Sequence, residues 1–404
     1  MFSFLFSAIC RYLILFTPFD SQAIVAAIMK SVKNPDYKMR AILCEALKGS
    51  VREEQWQEDE NLWGFCWGEG MGPLIWHRLQ QEGWFTPSDA MKTYFIDFFR
   101  YSTSSMMQMR LALSQMLKQL NMAQIPVICM RGQAVAETLY EPANLRFYSD
   151  IDLLCRQENS LMLRQILGNQ LDLKPAPNHP DMLVKEAVTL DLHYEPLGIA
   201  RMDSWRHLTP LRAEDFFKYA ETGELAGEQA LIVHARVLLP YLCFHAMKHS
   251  FERLNWIYDI ALLANSIEGE LQWDEVLAGI REYRLERPCF YALSYAQAHL
   301  GASLPAGLLE EIRPEMDFIE RRLFRRHMNH EVIPFLAERL FARMQPDFRH
   351  RIEFWRETIY PRREVREQIA GSGCVKCNFI RKRLKQLLKA AWLLMREAGA
   401  LIRP

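Results

Sequence analysis

The sequence predicts an α+β protein in which a small mixed β-sheet lies between two helical regions. Three observations support this fold class. Apolar residues recur at three- and four-residue spacing in both flanking regions, as they do in amphipathic helices. Over roughly residues 120–200, short apolar runs rich in β-branched residues replace that spacing, and some alternate with a period of two. Glycine turns separate these runs from short helical segments, which is typical of strands mixed with helices.

The chain has 404 residues, which is enough for two or three domains. We expect an N-terminal helical region (1–105), an α/β core (106–203), a C-terminal helical domain (204–365) and a linker with a basic amphipathic helix (366–404). The first region should contain the helices Ile24–Val32, Met39–Leu47 and Asp89–Leu120. Gly68, Gly70 and Gly72 alternate as in some phosphate loops. A turn between helices is favoured, because no strand precedes them and no Lys-Ser/Thr follows.

The α/β core begins with the predicted strand Ile125–Met130, which ends in a tight turn at Gly132. After a helix and a loop comes DIDLLC, whose alternation places Asp150 and Asp152 on one face and apolar side chains on the other. The other predicted elements of the core are the helices Gln133–Tyr140 and Ser160–Leu167 and the strands Met182–Glu186 and Val188–Tyr194.

From about Ser204 onward the spacing predicts helices. They are Ala230–Ser250, Trp256–Asn265, Trp273–Tyr283, Tyr291–Leu300 and Pro314–Met328, followed by the Arg- and Glu-rich Asp347–Arg366. Pro240 should start or kink the first of them. The last helix, Arg381–Leu401, is basic and amphipathic. A solvated face is favoured there over a surface that binds membrane or nucleic acid.

Composition favours an ordinary globular protein without a nucleic-acid or anionic-membrane partner, because 49 basic and 49 acidic residues cancel. The nine cysteines suit a reducing compartment, where they serve as small core residues. Cys374 and Cys377 form a single CxxC beside a Gly-Ser-Gly stretch. A linker is favoured there over a metal or redox motif, because no second pair accompanies them.

The apolar start of the chain, MFSFLFSAICRYLILFTPF, has no basic residue before its apolar run and is interrupted by Arg11. It is also short for a membrane span. We expect a packed helix or an upstream extension rather than a targeting or membrane segment. A cytoplasmic location without stable membrane insertion is therefore expected.

Asp150, Asp152 and Asp191 are the candidate catalytic residues. Asp-x-Asp on one strand directs two carboxylates to the same space, and Asp191 in VTLDLHY alternates correctly to add a third from another strand. Carboxylate oxygens are the ligands that magnesium prefers, and two magnesium ions can stabilise the attacking and leaving oxygens of nucleotidyl transfer. An Asp-x-Asp alone is commonly a pair of exposed strand-end carboxylates. The preceding strand, glycine turn and helix favour a metal site, since a helix start can bind phosphate.

At these residues the chain resembles uncharacterised bacterial nucleotidyltransferases of the polymerase-beta-type superfamily. The similar stretches are IPVICMRGQAVAETLYEPANLRFYSDIDLLC, LDLHYEP and LCFHAMKHSFERLNWIYDIALL, within roughly residues 40–365. The resemblance implies a nucleotidyltransferase core with helical domains, two Mg²⁺ ions and a nucleoside triphosphate, with ATP expected. It assigns Asp150 and Asp152 to the metal pair, Asp191 to the third carboxylate and Gly132 to the phosphate turn.

One position departs from the family pattern. The family usually has Lys before the turn glycine, whereas this chain has Arg131, whose planar fork grips phosphate in a different geometry. Gln133 follows the glycine where the wider superfamily has Ser. The candidate triphosphate-binding residues are Arg131, Gly132, Gln133, Arg146 and Ser149. For Arg146 a structural salt bridge is the alternative.

Further candidates for contact with the nucleotide or the acceptor are His193, His245, Lys248 and His249. His193 shares a strand face with Asp191, and the alternative is a buried, hydrogen-bonded histidine. His245 and His249 have a spacing that can hold zinc on a helix, but a third ligand is not evident, and interdomain packing is the further alternative. Asp259 is expected to tie its helix to the core.

The leading hypothesis is therefore a magnesium-dependent nucleotidyltransferase that acts on an unidentified small-molecule, peptide or protein acceptor. The second is a non-catalytic, nucleotide-binding relative that regulates a partner. Three retained carboxylates argue against the second, and Arg131 argues mildly for it. A P-loop kinase or hydrolase is not favoured, because the chain lacks a Gly-x-x-x-x-Gly-Lys-Ser/Thr stretch.

Overall fold

The computed structural model describes residues 37–49, 60–82, 89–176, 179–198 and 202–370, together with residue 380. Its fold is α+β, as the sequence predicts, with helices on both sides of a five-stranded sheet. Four sequence features lie outside the described residues: the apolar N-terminus, the predicted helix Ile24–Val32, the CxxC pair and the basic C-terminal helix.

The helices before the sheet are α1 (Tyr37–Leu47), α2 (Glu60–Gly68), α3 (Gly72–Glu82) and the long α4 (Asp89–Met122). Those within the sheet region are α5 (Gln133–Leu139), α6 (Ser160–Leu171) and α7 (Ala213–Lys218). The later helices are α8 (Ala235–Lys248), α9 (Leu254–Ser266), α10 (Gly269–Glu282), α11 (Glu286–Leu300), α12 (Leu308–Glu311), α13 (Phe318–Met328), α14 (Leu336–Met344), α15 (Phe348–Ile359) and α16 (Arg363–Ala370).

The sheet contains β1 (Val127–Cys129), β2 (Ile151–Cys155), β3 (Lys174–Ala176), β4 (His179–Lys185) and β5 (Val188–His193). Their spatial order is β1-β2-β5-β4-β3. Strands β2 and β5 run parallel, whereas the other neighbours are antiparallel. Parallel neighbours need a long connection between them, and here α6, β3 and β4 connect the end of β2 to the start of β5.

The two faces of the sheet pack against different sets of helices, because successive side chains of a strand point to opposite faces. Ile151, Leu153 and Cys155 belong to a core that includes the Met- and Leu-rich second half of α4. Leu154 and Ile128 belong instead to the larger core of the helical regions. The predicted alternation in β2 is thus confirmed, and Asp152 lies on the face that points toward the larger core.

The larger core joins helices from both ends of the described chain. Buried side chains of α1–α3 and of α8, α9 and α11 form one hydrophobic cluster. Arg40 on α1 donates a 2.8 Å hydrogen bond to the carbonyl of Phe251, which follows α8. The turn between α2 and α3 contacts α9, since the Glu69 carboxylate accepts a 2.6 Å bond from the Leu254 backbone N–H. Gly70 lies in this turn, and Gly68 and Gly72 are the helix residues on either side of it, so the predicted turn between helices is confirmed.

The prediction for the chain after Ser204 is wrong in part. The chain after Ser204 is not entirely helical, because β6 (Ala220–Leu225) and β7 (Glu228–Val233) form an antiparallel hairpin. Its turn has Ala226 at φ 54° and Gly227 at φ 81°, the left-handed backbone that short hairpin turns need. The predicted helix Ala230–Ser250 therefore begins only at Ala235. Strand β6 contains Ala and Glu, which are poor strand formers, and so gives little sign of a strand.

Two further features differ from the predictions in detail. The Arg- and Glu-rich segment forms two helices, α15 and α16, and Pro361 lies between them. Pro240 lies inside α8 rather than at its start. The cysteines of the described residues are all buried and none forms a disulfide, as core residues should be. Among the described helices, none has both the length and the apolar character needed to span a membrane.

Candidate functional site

The parallel pairing of β2 and β5 sets the spacing of the candidate site. In this register Asp152 lies opposite Asp191, and Leu154 lies opposite His193. Because the two strands run in the same direction, the side chains of Asp152, Asp191 and His193 emerge from the same face of the sheet. Asp150 stands immediately before β2, on the same side by alternation. The structure thus brings together all three predicted carboxylates.

His193 lies between two of the carboxylates. Its Nε2 atom is 2.9 Å from Oδ1 of Asp152 and 3.3 Å from Oδ2 of Asp191. One ligand atom from each of these three residues lies within 4.8 Å of the other two. Among the described residues, this is the group of acidic, histidine or cysteine side chains whose spacing fits a metal ion. Asp150 adds a carboxylate beside that group.

Burial and the neighbouring charges change the ionisation of these groups. Burial, together with the charges of Asp152 and Asp191, raises the pKa of Asp150 to about 6. Burial would also raise the pKa of Asp152, but Arg131 and His193 outweigh it and hold that pKa well below its usual range. Burial lowers the pKa of His193, yet its bonds to Asp152 and Asp191 raise it overall. A cation at this site would relieve the repulsion among the carboxylates.

Arg131, the residue that departs from the family pattern, contacts the cluster directly. It follows β1, whose antiparallel pairing with β2 continues through a 3.1 Å bond from the Met130 N–H to the Asp152 carbonyl. Its Nε donates a 3.0 Å hydrogen bond to Oδ2 of Asp152, and its Nη2 donates to Oδ1. Its Nη1 contacts Nδ1 of His245 on α8 and lies 3.2 Å from Nε2 of the same ring.

His245 is suited to accept a bond from Arg131. The residue is buried, and burial and the positive charge of Arg131 lower the pKa of its ring well below the usual value. The ring is therefore neutral at pH 7 and keeps a lone pair for a guanidinium N–H. His245 also packs edge-on against Trp256, with 5.1 Å between ring centroids.

Gly132 forms the turn after Arg131 and precedes α5. Its φ of 57° lies in the left-handed region, which residues other than glycine rarely adopt. A Cβ atom there would stand 3.3 Å from the backbone oxygen of Asp150. The turn therefore lies tightly against the start of β2. The adjacent Gln133 is fully buried, and its amide nitrogen donates a 2.7 Å bond to Glu137.

Arg146 does not contact the carboxylate cluster. Its Nε and Nη2 donate to the two oxygens of Asp259 at 3.2 Å and 2.6 Å, and both side chains are almost completely buried. Tyr140 donates a 2.7 Å bond to the same carboxylate. These contacts correspond to the structural salt bridge that the sequence left open, and they tie the loop before β2 to α9. Sequence reasoning did not single out Tyr140, although it lies in the family-like stretch.

The remaining candidates lie around the cluster. Ser149 is half-buried directly before Asp150. Lys248 is half-buried on α8, and its Nζ lies 3.5 Å from the Leu197 carbonyl. The His249 ring packs against the rings of His245 and Trp256, with centroids 4.9 Å and 5.0 Å away. In the described part of the chain, His245 and His249 do not belong to a group with metal-binding spacing.

A comparison with known protein families places the chain in one of them. A family model described as an uncharacterised nucleotidyltransferase matches residues 57–301, which is more than half of the chain and includes every residue of the cluster. No curated protein and no solved structure matches the chain. The carboxylates, Arg131 and the helix α8 that faces them all lie inside the matched range. The chain belongs to the family of uncharacterised nucleotidyltransferases.

Proposed function

We propose that the protein is a magnesium-dependent nucleotidyltransferase. It would transfer a nucleoside monophosphate from a triphosphate, with ATP as the expected donor, to an acceptor hydroxyl or phosphate and release pyrophosphate. The observation that carries the proposal is the in-register pair of Asp152 and Asp191 on parallel strands, with Asp150 beside it. Membership of a nucleotidyltransferase family supports this reaction class.

The donor set fits magnesium. Three carboxylates supply hard oxygen ligands. Burial and, after it, the charges of Asp152 and Asp191 raise the pKa of Asp150, and a divalent cation would neutralise those charges. No cysteine takes part in the group with metal-binding spacing. Asp150 and Asp152 would hold both ions and Asp191 one of them. When bound, magnesium would supply charge stabilisation for the reacting phosphate oxygens.

The chain's own residues would perform the remaining tasks. Arg131 and the Gly132 turn, with Gln133 and Ser149 nearby, are proposed to hold the triphosphate. Asp191 is the candidate proton acceptor, since its side chain is 35% exposed whereas that of Asp152 is 5% exposed. The acceptor O–H would lose its proton to Asp191 as its oxygen bonds to the α-phosphorus. The bond from that phosphorus to the bridging oxygen would break, and pyrophosphate would leave.

The helix α8 is proposed to contact the nucleotide or the acceptor. His245 is linked to the cluster through Arg131, and Lys248 and His249 lie one helical turn further along. Lys248 contributes a cation and His249 a ring beside Trp256. Arg146 is not proposed as a direct ligand of phosphate, because two of its nitrogens bond the Asp259 carboxylate in a buried pair.

Replacement of Asp152 tests the proposal. The substitution Asp152→Asn preserves the shape of the side chain but removes the charge that the metals need. We expect magnesium-dependent pyrophosphate release from ATP, measured with cell extract as the source of acceptors, to fall at least about 100-fold, as is usual when one main electrostatic contact is lost. Asp181→Asn on the neighbouring strand β4 is the matched control and should retain activity. Unchanged release in the Asp152 variant would refute the proposal.

A second candidate function, a nucleotide-binding relative without catalysis, is favoured by one observation. The guanidinium of Arg131 bonds both oxygens of Asp152, so this carboxylate is already paired with a protein cation. Calorimetry with ATP and magnesium, combined with the same release assay, separates the two functions. Binding of ATP without pyrophosphate release across many acceptors would support the second function.

A further inference from the structure

The contact between Arg131 and Asp152 involves the whole carboxylate. Nε and Nη2 of the guanidinium donate to the two oxygens, and Oδ1 also lies 2.9 Å from Nε2 of His193. The side chains are 16% and 5% exposed, so little water competes for these bonds. Bidentate arginine–carboxylate pairs are among the stronger hydrogen-bonded contacts in proteins. Each oxygen of Asp152 therefore accepts at least one hydrogen bond.

This pairing conflicts with the metal site of the proposed function. Asp152 would have to contribute oxygen atoms to the metals, yet its oxygens already accept three hydrogen bonds. A guanidinium and a divalent cation also repel each other at such short range. The metals and Arg131 therefore compete for Asp152, because three of its roughly four acceptor positions are already used.

Arg131 has a second destination that the same geometry offers. It directly precedes the Gly132 turn, which is the proposed place of the triphosphate, and a guanidinium fork fits two phosphate oxygens as well as it fits a carboxylate. Its Nη1 contacts the neutral ring of His245 and makes no ion pair with any residue that the structure describes, so departure from Asp152 breaks no ion pair on that side.

We propose that Arg131 is a displaceable counter-ion that closes the metal site until a nucleoside triphosphate arrives. The inference rests on the proposed function. Without nucleotide, the guanidinium neutralises Asp152 and weakens metal binding. With nucleotide, it moves to the phosphate oxygens and frees Asp152 for the metals. Metal and triphosphate then strengthen each other's binding by the same factor, as linkage requires.

Arg131→Lys is the variant that tests this inference. Lysine keeps the positive charge, so the overall electrostatics of the site are preserved, but a point charge cannot bond both oxygens of Asp152 as the fork does. The probe is Mn²⁺ without nucleotide, with free Mn²⁺ followed by electron paramagnetic resonance. We expect the variant to bind Mn²⁺ about tenfold more tightly than the parent chain, within the usual range of coupling between sites.

The same titration is then repeated with a non-cleavable ATP analogue. In the parent chain the analogue should tighten Mn²⁺ binding markedly, whereas in Arg131→Lys the gain should be smaller because Asp152 is already accessible. Arg164→Lys serves as the control. Arg164 on α6 pairs with Asp181 on β4, outside the carboxylate cluster. Its replacement should leave the Mn²⁺ affinity unchanged.

The possible outcomes are distinct. Tighter Mn²⁺ binding by Arg131→Lys supports the displaceable counter-ion, because loss of a merely structural contact would not improve metal affinity. Equal or weaker binding, with Mn²⁺ still bound by the parent chain, overturns the inference and leaves the proposed function intact. Failure of both proteins to bind Mn²⁺, with or without the analogue, overturns the metal site and with it both proposals.

Discussion

At the scale of single residues, Gly132 has the most specific requirement. It combines a left-handed φ of 57° with a backbone that passes close to Asp150, so that a Cβ atom would stand 3.3 Å from the Asp150 carbonyl oxygen. The first property affects stability, as it does at any left-handed glycine. The second affects the position of a proposed metal ligand.

Gly132→Ala separates these two effects when it is compared with Gly301→Ala. Gly301 ends α11 at φ 75°, and a Cβ atom there would meet nothing within 4 Å. We expect both substitutions to lower the free energy of unfolding, by about 1–3 kcal/mol, as measured by urea denaturation. The loss should be larger for Gly132→Ala, because its ψ of −106° lies outside the αL region that Gly301 occupies. Only Gly132→Ala should also abolish pyrophosphate release under conditions in which the variant is folded. Equal activity of the two variants would contradict a positioning role for this turn.

At the scale of elements, the loop before β2 is held by α9 through the buried contacts of Tyr140, Arg146 and Asp259. The Asp259 carboxylate accepts from both other side chains, at 2.6–3.2 Å from the guanidinium and 2.7 Å from the phenol. Because the loop leads directly into Asp150, the orientation of this carboxylate depends on a helix that lies about a hundred residues further along the chain.

Asp259→Asn should destabilise the protein strongly. It leaves the Arg146 guanidinium buried without a counter-charge, which typically costs about 3–5 kcal/mol. Tyr140→Phe removes one hydrogen bond and should cost about 1 kcal/mol. Glu311→Gln, which breaks an exposed pair with Arg281, is the control and should change the free energy of unfolding by less than about 1 kcal/mol. Similar urea midpoints for Asp259→Asn and Glu311→Gln would show that the buried pair does not stabilise the fold.

The elements also show which parts of the fold can be predicted from sequence. Strand β5 was predictable because apolar and polar residues alternate along it, and β2 because Asp150 and Asp152 alternate with Ile151 and Leu153 at its start. The hairpin β6–β7 was not, since its turn uses Ala226 rather than Asn or Asp at the first left-handed position. Strand β3 is three residues long, has a proline and is mostly exposed, and so gives almost no pattern.

The candidate site was predictable only where strand alternation determines it. Asp150, Asp152 and Asp191 follow from periodicity and from the family resemblance. The partners of Arg131 and Arg146 depend on α8 and α9, which approach the sheet from much later in the chain. Sequence spacing within one element carries no information about such tertiary contacts, so sequence reasoning named these arginines but not the bonds that hold them.

At the scale of the whole molecule, the first described helix packs onto helices from the far end of the chain. The Cys44 thiol on α1 lies 3.5 Å from the Tyr295 hydroxyl on α11, and that hydroxyl is 2.8 Å from Nδ1 of His330, just beyond α13. His327 is buried in the same place. Burial, with nearby positive charges, lowers the pKa of His330 to about 4 and that of His327 to about 3.

The low pKa values of His327 and His330 make the packing among α1, α11 and α13 sensitive to acid. An unfolded histidine takes up a proton near pH 6.5, whereas folded His330 does so only near pH 4. Between these values the unfolded chain binds more protons, so this contribution to stability is complete above pH 6.5 and is lost as the pH falls. We expect His330→Asn to lose less stability than the parent chain between pH 7 and pH 5, as measured by urea midpoints. Equal losses would show that His330 is not held neutral in the folded protein.

The parallel register of β2 and β5 also limits where residues can be inserted or deleted without loss of the site. A single residue inserted into β5 before Asp191 would turn both Asp191 and His193 to the opposite face of the sheet, into the core formed with α4. An insertion between α6 and β3 does not change which face of the sheet these side chains point to. Insertions and deletions among descendants of this sequence should therefore gather in the connections between elements, while β2 and β5 keep a constant number of residues.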